Sequence, residues 1–155
     1  MNRTPEISIN VIDIIRGTTV DGPGFRTSIY LAGCSHHCTG CHNPQSHDPK
    51  AGRLMTLSEI MAVIKEEDFD VTLTGGDPFF CPEKSFWLVH AIRNAGYGLW
   101  LYTGYTLEEI LERDDLTIFL PYLDAIVDGR YVEELRDTDL QFRGSSNQRI
   151  IKLTE

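Results

Sequence analysis

The sequence predicts an α/β protein in which a mostly parallel sheet forms an open, partial β/α barrel. Short apolar segments rich in β-branched residues alternate with segments of helical periodicity. Each glycine-rich or polar motif follows one of the predicted strands. The 155 residues are too few for an eight-stranded barrel, which needs roughly 200 or more. We therefore predict a single domain over residues 1–155.

The first predicted elements are two strands joined by a turn-rich loop. Residues 7–15 are apolar, β-branched and partly alternating, which is typical of a strand. Residues 17–24 contain several glycines and a proline, which favour turns. Residues 25–32 form the second predicted strand and lead into a cysteine-rich loop, which we expect to continue to about Arg53.

Helix signals alternate with the remaining predicted strands. A capping box of Thr56 and Glu59 predicts the start of the first helix. A second helix is expected to begin near Pro82 and to end near Gly96. A further capping box over residues 106–109 predicts a third helix. The later strands are predicted at residues 71–74, 99–103, 124–128 and 149–153.

The charge and hydropathy of the chain disfavour two classes of partner. The formal net charge of −9 opposes binding to the phosphates of nucleic acids. No apolar run reaches the ~20 residues needed to span a membrane, and the first ten residues lack the apolar core of a signal peptide. A cytoplasmic protein without membrane or nucleic-acid partners is the expectation.

Three of the four cysteines lie within eight residues, at Cys34, Cys38 and Cys41. Clustered thiols in a cytoplasmic protein indicate metal ligands. Soft thiolates suit either an iron–sulfur cluster or zinc. A [4Fe–4S] cluster held by three cysteines keeps one iron open to a small molecule. Zinc remains an alternative, with its fourth ligand drawn from four histidines of the same loop, His36, His37, His42 and His47.

The fourth cysteine, Cys81, follows the Gly-Gly-Asp-Pro segment at residues 75–78. As a fourth ligand it would close the open iron of a cluster. A lone cysteine is more often a small apolar residue, and this is the interpretation that we favour.

The complete set of motifs resembles the radical S-adenosylmethionine (SAM) superfamily. The cysteine spacing and the later Gly75-Gly76-Asp77-Pro78 segment carry this resemblance. Residues 20–26, Val-Asp-Gly-Pro-Gly-Phe-Arg, resemble the activases of glycyl radical enzymes. Residues 100–105, 127–131 and 142–149 are similar to those activases that act on the anaerobic ribonucleoside-triphosphate reductase. The resemblance covers nearly the whole chain.

The resemblance implies a small radical SAM fold with one [4Fe–4S] cluster per chain and SAM as cosubstrate. The reduced cluster is expected to cleave SAM to methionine and a 5′-deoxyadenosyl radical. That radical then takes a hydrogen atom from a glycine of the reductase large subunit. A flavodoxin-like protein is the implied electron donor.

The implied site residues all lie in the cysteine loop or at strand ends. Cluster ligands are Cys34, Cys38 and Cys41, and no catalytic side chain is expected beyond the cluster and SAM. The implied SAM site comprises Gly40, Cys41, His42, Gly75, Gly76, Asp77, Tyr102, Asp128 and Arg130. Within it, Asp77 is expected to bind the SAM ammonium group and Arg130 its carboxylate.

This chain departs from the superfamily pattern at three of these positions. Gly40 and His42 flank the third cysteine where aromatic residues are frequent, and Asp77 replaces a common glutamate.

Three other functions stay open at this point. One is the activation of another glycyl radical enzyme, of the formate-lyase type, although residues 142–149 argue against it. Another is radical chemistry on a small metabolite. The last is a non-catalytic zinc-binding interaction module.

Overall fold

The computed structural model describes residues 6–34 and 48–153, which form a seven-stranded mixed sheet with helices packed against it. The strands are β1 (Ser8–Thr18), β2 (Arg26–Leu31), β3 (Arg53–Thr56), β4 (Asp70–Gly75), β5 (Leu99–Tyr102), β6 (Ala125–Asp128) and β7 (Arg149–Lys152).

The sheet is open, in the order β3-β1-β2-β4-β5-β6-β7. Its four central strands, β2, β4, β5 and β6, are mutually parallel. β1 runs antiparallel to both β2 and β3, so β3 points in the direction of the central strands. β7 runs antiparallel to β6 at the other edge. Five of the seven strands thus share one direction, which confirms the predicted α/β fold with its open, mostly parallel sheet.

In the part of the chain that the structure describes, four α-helices connect the strands, α1 (Leu57–Glu67), α2 (Pro82–Asn94), α3 (Leu107–Leu111) and α4 (Asp114–Thr117). Both predicted capping boxes are present, with Thr56 and Glu59 at α1 and Thr106 and Glu109 at α3. The apolar side of the helices packs on one face of the sheet. Fully buried Ile29, Leu73, Leu101 and Ile126 form this core with helix residues such as Ile60, Ile64, Leu88, Ile92 and Ile110.

The opposite face of the sheet carries a smaller core and a row of polar residues. Because side chains alternate along a strand, Tyr30, Thr74 and Tyr102 point away from the helices, at neighbouring positions of three adjacent strands. Trp100, Ala125 and Val127 form a small apolar cluster on this face. We call this the inner face.

Strand β3 and helix α4 were not predicted; residues 53–56 were expected to end a loop and open a helix. Two of the four β3 residues are exposed, and the partner strand β1 lies more than forty residues earlier in the chain. Within residues 6–34 and 48–153, no helix is long and apolar enough to cross a membrane.

Candidate active site

The predicted motifs follow the parallel strands at one edge of the sheet. Cys34 follows β2, Gly76 and Asp77 follow β4, Thr103 follows β5, and Arg130 follows β6. The carboxyl ends of parallel strands are where α/β proteins place their sites. The sheet topology therefore brings these motifs together as the sequence predicted.

The segment that leads to Cys34 is fixed against the Gly-Gly-Asp segment. The amide of Gly76 donates to the carbonyl of Leu31 at 2.8 Å, and the amide of Asp77 donates to the carbonyl of Gly33 at 2.7 Å. Gly75 has a φ of +108°, and a Cβ there would lie 2.3 Å from the Leu31 nitrogen. Glycine is therefore required where β4 passes the end of β2.

Cys34 is buried, with 8% of its surface exposed. It is the one predicted cluster ligand within the described part of the chain. Cys38, Cys41, Gly40 and His42 all lie outside the described residues. The donor set fits a three-thiolate [4Fe–4S] site, because a buried thiol lies just after a strand end and two more cysteines follow it in the sequence within seven residues. Cys81 is exposed at the start of α2, contrary to the apolar packing expected for a lone cysteine.

Asp77 joins the loops that follow β4 and β5. Its carboxylate is 2% exposed and accepts hydrogen bonds from the Phe79 amide, the Thr103 hydroxyl and the Gly104 amide, each at 2.9 Å. Since the hydroxyl lies 2.9 Å from both carboxylate oxygens, each oxygen has two donors nearby. The geometry gives Asp77 a positioning role at this edge, and its predicted contact with the SAM ammonium group stays a prediction.

Asp128 and Arg130 are both engaged with side chains on α3 or β7. Asp128 is 1% exposed and accepts from the Leu107 amide and from the Arg149 guanidinium, whose Nη2 lies 2.5 Å from Oδ2. The Arg130 Nη1 lies 3.1 Å from the Glu109 Oε1 in an exposed ion pair. An exposed ion pair is the ordinary role of a surface arginine, and it is the alternative to the predicted contact of Arg130 with SAM.

A cavity of about 430 Å³ opens on the inner face of the sheet. Its volume lies in the range of small-molecule sites. The wall from the strands is made by Tyr30, Thr74 and Tyr102. The remaining lining comes from the β1–β2 loop and from the segment between β6 and β7, namely Val20, Asp21, Tyr131, Leu140, Phe142, Arg143, Gly144 and Gln148.

The two tyrosines on the strand side of this cavity differ in their hydrogen bonding. The Tyr30 hydroxyl donates to the Asp21 carboxylate at 2.8 Å. The Tyr102 hydroxyl is buried without a partner among the described residues. Burial, reinforced by the negative charge of Asp21, raises the pKa of both phenols above the ordinary value. Such an orphaned buried hydroxyl on a cavity wall is suited to a ligand contact.

Arg26 holds the β1–β2 loop, which forms part of the cavity lining, against β4. It is 3% exposed and donates to the Thr72 hydroxyl and to the carbonyls of Val71 and Pro23. The Thr72 hydroxyl in turn donates to the carbonyl of Asp21 at 2.7 Å, which fixes the cavity rim. Burial lowers the pKa of the Arg26 guanidinium, while the charge of Asp70 opposes that shift.

Of the three strand residues on this wall, Tyr102 was a predicted site residue, and Tyr30 and Thr74 were not. Tyr30, Thr74 and Tyr102 each follow a buried aliphatic residue near a strand end, in positions that alternate along the strands. This period of two was the available signal. Phe142 was beyond such a signal, because its position depends on an edge contact with Trp100 and a φ of +61°.

Comparison with known proteins agrees with the sequence motifs. Residues 20–151 match the family model of the 4Fe–4S single cluster domain. A relative from Vibrio cholerae, named anaerobic ribonucleoside-triphosphate reductase-activating protein, is 35% identical over 87% of this chain and 92% of its own length. Relatives of the same name from Enterobacteria phage T4 and Escherichia coli are each 33% identical, over 88% and 83% of this chain and 89% of their own lengths.

Among solved structures, QueE from Escherichia coli superposes with a TM-score of 0.55 at 14% identity, over 78% of this chain and 70% of that chain. This likeness concerns the fold alone and agrees with the α/β fold and open sheet described above. On the family model and the identities together, the chain belongs to the 4Fe–4S single cluster domain family and, within it, to the anaerobic ribonucleoside-triphosphate reductase-activating proteins.

Proposed function

We propose that this chain cleaves SAM at a [4Fe–4S] cluster and generates the glycyl radical of an anaerobic ribonucleoside-triphosphate reductase. The observation that carries the proposal is the inner-face cavity at the carboxyl edge of the sheet. Tyr30 and Thr74, on its wall, lie directly before the segments that contain Cys34 and Gly75-Gly76. A ligand in the cavity would therefore lie near the strand ends that lead to Cys34 and to the Gly-Gly-Asp segment.

The residues that would hold the cluster are Cys34, Cys38 and Cys41. When bound, the cluster would supply the electron that splits SAM into methionine and a 5′-deoxyadenosyl radical, which takes a hydrogen atom from the partner's glycine. The protein must orient SAM and keep water and oxygen away from that radical. The apolar side chains of Val20, Leu140 and Phe142 on the cavity wall suit such exclusion.

Roles within the SAM site follow from the contacts of each residue. The close passage of Gly75 against Leu31 holds the β4 end beside the segment that leads to Cys34. Asp77 fixes the following turn to Thr103 and Gly104. The Tyr102 hydroxyl, which has no partner among the described residues, is the polar group of the wall that we assign to a SAM contact. Asp128 would act through the ion pair that holds β7 and α3 in place.

The proposed reductase partner follows from the relatives' names, and the flavodoxin-like electron donor is what the family resemblance implies. The large subunit of the reductase would present its glycine to the cavity, and a flavodoxin-like protein would reduce the cluster in the cytoplasm. An acceptor glycine must reach the radical directly, because 5′-deoxyadenosyl radicals do not survive diffusion through water.

The test is an anaerobic reaction of the reconstituted, reduced protein with SAM and the reductase, followed by paramagnetic resonance. A glycyl radical doublet is expected with the parent chain and is expected to be absent with Cys34→Ala, Cys38→Ala and Cys41→Ala. Activity that survives all three replacements would refute the cluster assignment. Stoichiometric zinc without iron after reconstitution would refute it as well.

A parallel reaction with a formate-lyase-type glycyl radical enzyme tests the choice of partner. The proposal predicts a radical on the reductase and none on the lyase. SAM cleavage without a radical on either protein would point to a small metabolite as the substrate.

A further inference from the structure

Two of the arginines at the carboxyl edge already have carboxylate partners. Arg130 is paired with Glu109 at 3.1 Å, and Arg149 is paired with both Asp128 and Glu108. A guanidinium in such a pair gains little from a ligand's carboxylate, since the existing pair must be broken or shared. Neither Arg130 nor Arg149 is therefore suited to bind an anionic group of a ligand in the cavity.

Arg143 lies on the cavity wall and has weaker contacts. Its Nε lies 3.4 Å from the carbonyl oxygen of Gln141, and its Nη1 lies 3.3 Å from that of Gln148. Both acceptors are neutral, and both distances exceed those of strong hydrogen bonds. Within residues 6–34 and 48–153, no carboxylate forms an ion pair with Arg143.

The backbone around Arg143 is anchored on both sides. Gln148 accepts from the amides of Gly144 and Ser145 at 2.9 and 3.1 Å and donates to the carbonyl of Gly129 at 3.0 Å. On the other side, the Phe142 ring lies 5.6 Å from that of Trp100. A guanidinium carried by a fixed loop binds a ligand with less loss of conformational freedom.

Among the described residues, the charged side chains that line the cavity are one carboxylate, Asp21, and one guanidinium, Arg143. This combination is complementary to the zwitterion of an amino acid. Resting on the function proposed above, we propose that Arg143, and not Arg130, binds the carboxylate of the methionyl group of SAM. A guanidinium fork matches a carboxylate with two parallel hydrogen bonds.

The test measures binding to the reconstituted protein with its cluster oxidised, so that no SAM is cleaved. Equilibrium dialysis compares S-adenosylhomocysteine, which keeps the carboxylate, with decarboxylated SAM, which lacks it. Arg143→Gln is expected to weaken the first ligand about 10- to 100-fold, the usual loss for a charge-assisted pair, and to change the second by less than about twofold. Arg143→Lys should fall between, because it keeps the charge and loses the fork.

Arg136→Gln serves as the matched control, because Arg136 is an exposed arginine of the same segment that does not line the cavity. It is expected to leave both affinities unchanged. Equal weakening of both ligands by Arg143→Gln would overturn the assignment. So would unchanged SAM-analogue binding with a weaker affinity for the reductase, which would make Arg143 a partner contact.

The outcome of this binding experiment is independent of the outcome of the glycyl radical assay. If the parent chain produced no glycyl radical while the carboxylate-dependent effect of Arg143→Gln held, the function would be wrong and the ligand contact correct. If the radical formed and the two ligands responded alike, the contact would be wrong and the function intact.

Discussion

Replacing Gly75 with alanine tests how the Gly-Gly-Asp segment is held beside the segment that leads to Cys34. The new Cβ would lie 2.3 Å from the Leu31 nitrogen and 2.4 Å from its carbonyl oxygen, both of them backbone atoms. The β4 end must then move away from β2. That movement breaks the hydrogen bonds from Gly76 to Leu31 and from Asp77 to Gly33, which are 2.8 and 2.7 Å long.

The expected loss combines two contributions. Two backbone hydrogen bonds stabilise the fold by about 1 kcal/mol each. A non-glycine residue at a positive φ adds about 1–2 kcal/mol of strain. The free energy of unfolding of Gly75→Ala should therefore fall by about 3–4 kcal/mol, measured by urea unfolding of the cluster-free protein.

Gly96→Ala is the matched control for this substitution. Gly96 has a similar φ of +95°, and nothing lies within 4 Å of the position that an alanine Cβ would take there. Strain alone should lower the free energy of unfolding of Gly96→Ala by about 1–2 kcal/mol. This variant should still incorporate the full amount of cluster. Equal losses for the two variants, with equal iron content after reconstitution, would refute the close-passage argument.

Three further predictions concern the charged and phenolic groups. Asp77→Asn should lower the free energy of unfolding by about 2–3 kcal/mol, because charge-assisted hydrogen bonds are lost in a buried site; normal stability with weakened SAM binding would instead support the ammonium contact. Asp128→Asn should lower the free energy of unfolding by about 2 kcal/mol, and Arg130→Gln should lower it by less than about 0.5 kcal/mol. The difference is expected because Asp128 is buried and the Arg130 ion pair is exposed. Equal losses in urea unfolding would contradict this. The folded state raises the pKa of Tyr30 and Tyr102. Their contribution to the free energy of unfolding is therefore complete below pH ~10 and declines as the pH rises above it. The double Tyr→Phe variant should flatten that decline, and an unchanged slope in unfolding experiments between about pH 9 and 11 would count against it.

Features that depend on neighbouring residues in the chain were predictable from the sequence. Both capping boxes need side chains only three residues apart, and both form. The convergence of the motifs was also predictable, since parallel strands with helical connections place their carboxyl ends at one edge. Cys34 and Gly76 lie there, as the alternation of strands and helices indicated.

Features that depend on distant pairing were not predictable. The Arg130 side chain meets Glu109, and Arg149 meets Asp128, across 21 residues in each case. A sequence pattern identifies an arginine at a strand end but does not determine which carboxylate will approach it. The same holds for Asp77, whose partner Thr103 lies 26 residues away.

The cavity wall was predictable from the sequence only in part. The alternation along β2, β4 and β5 placed Tyr30, Thr74 and Tyr102 on one face, and pairing register then aligned them. The opposite wall depends on how the segment between β6 and β7 folds back. There the contacts of Phe142 and Gln148 are set by tertiary structure.

The most direct measurement of the central claim follows one hydrogen atom. The reductase is prepared with deuterated glycine, activated anaerobically by this protein with SAM, and the released 5′-deoxyadenosine is analysed by mass spectrometry. We predict one deuterium in the 5′-deoxyadenosine for each glycyl radical formed, and the same product without deuterium when the glycine is unlabelled. Radical formation with no deuterium in the 5′-deoxyadenosine would contradict direct abstraction and with it the proposed activity.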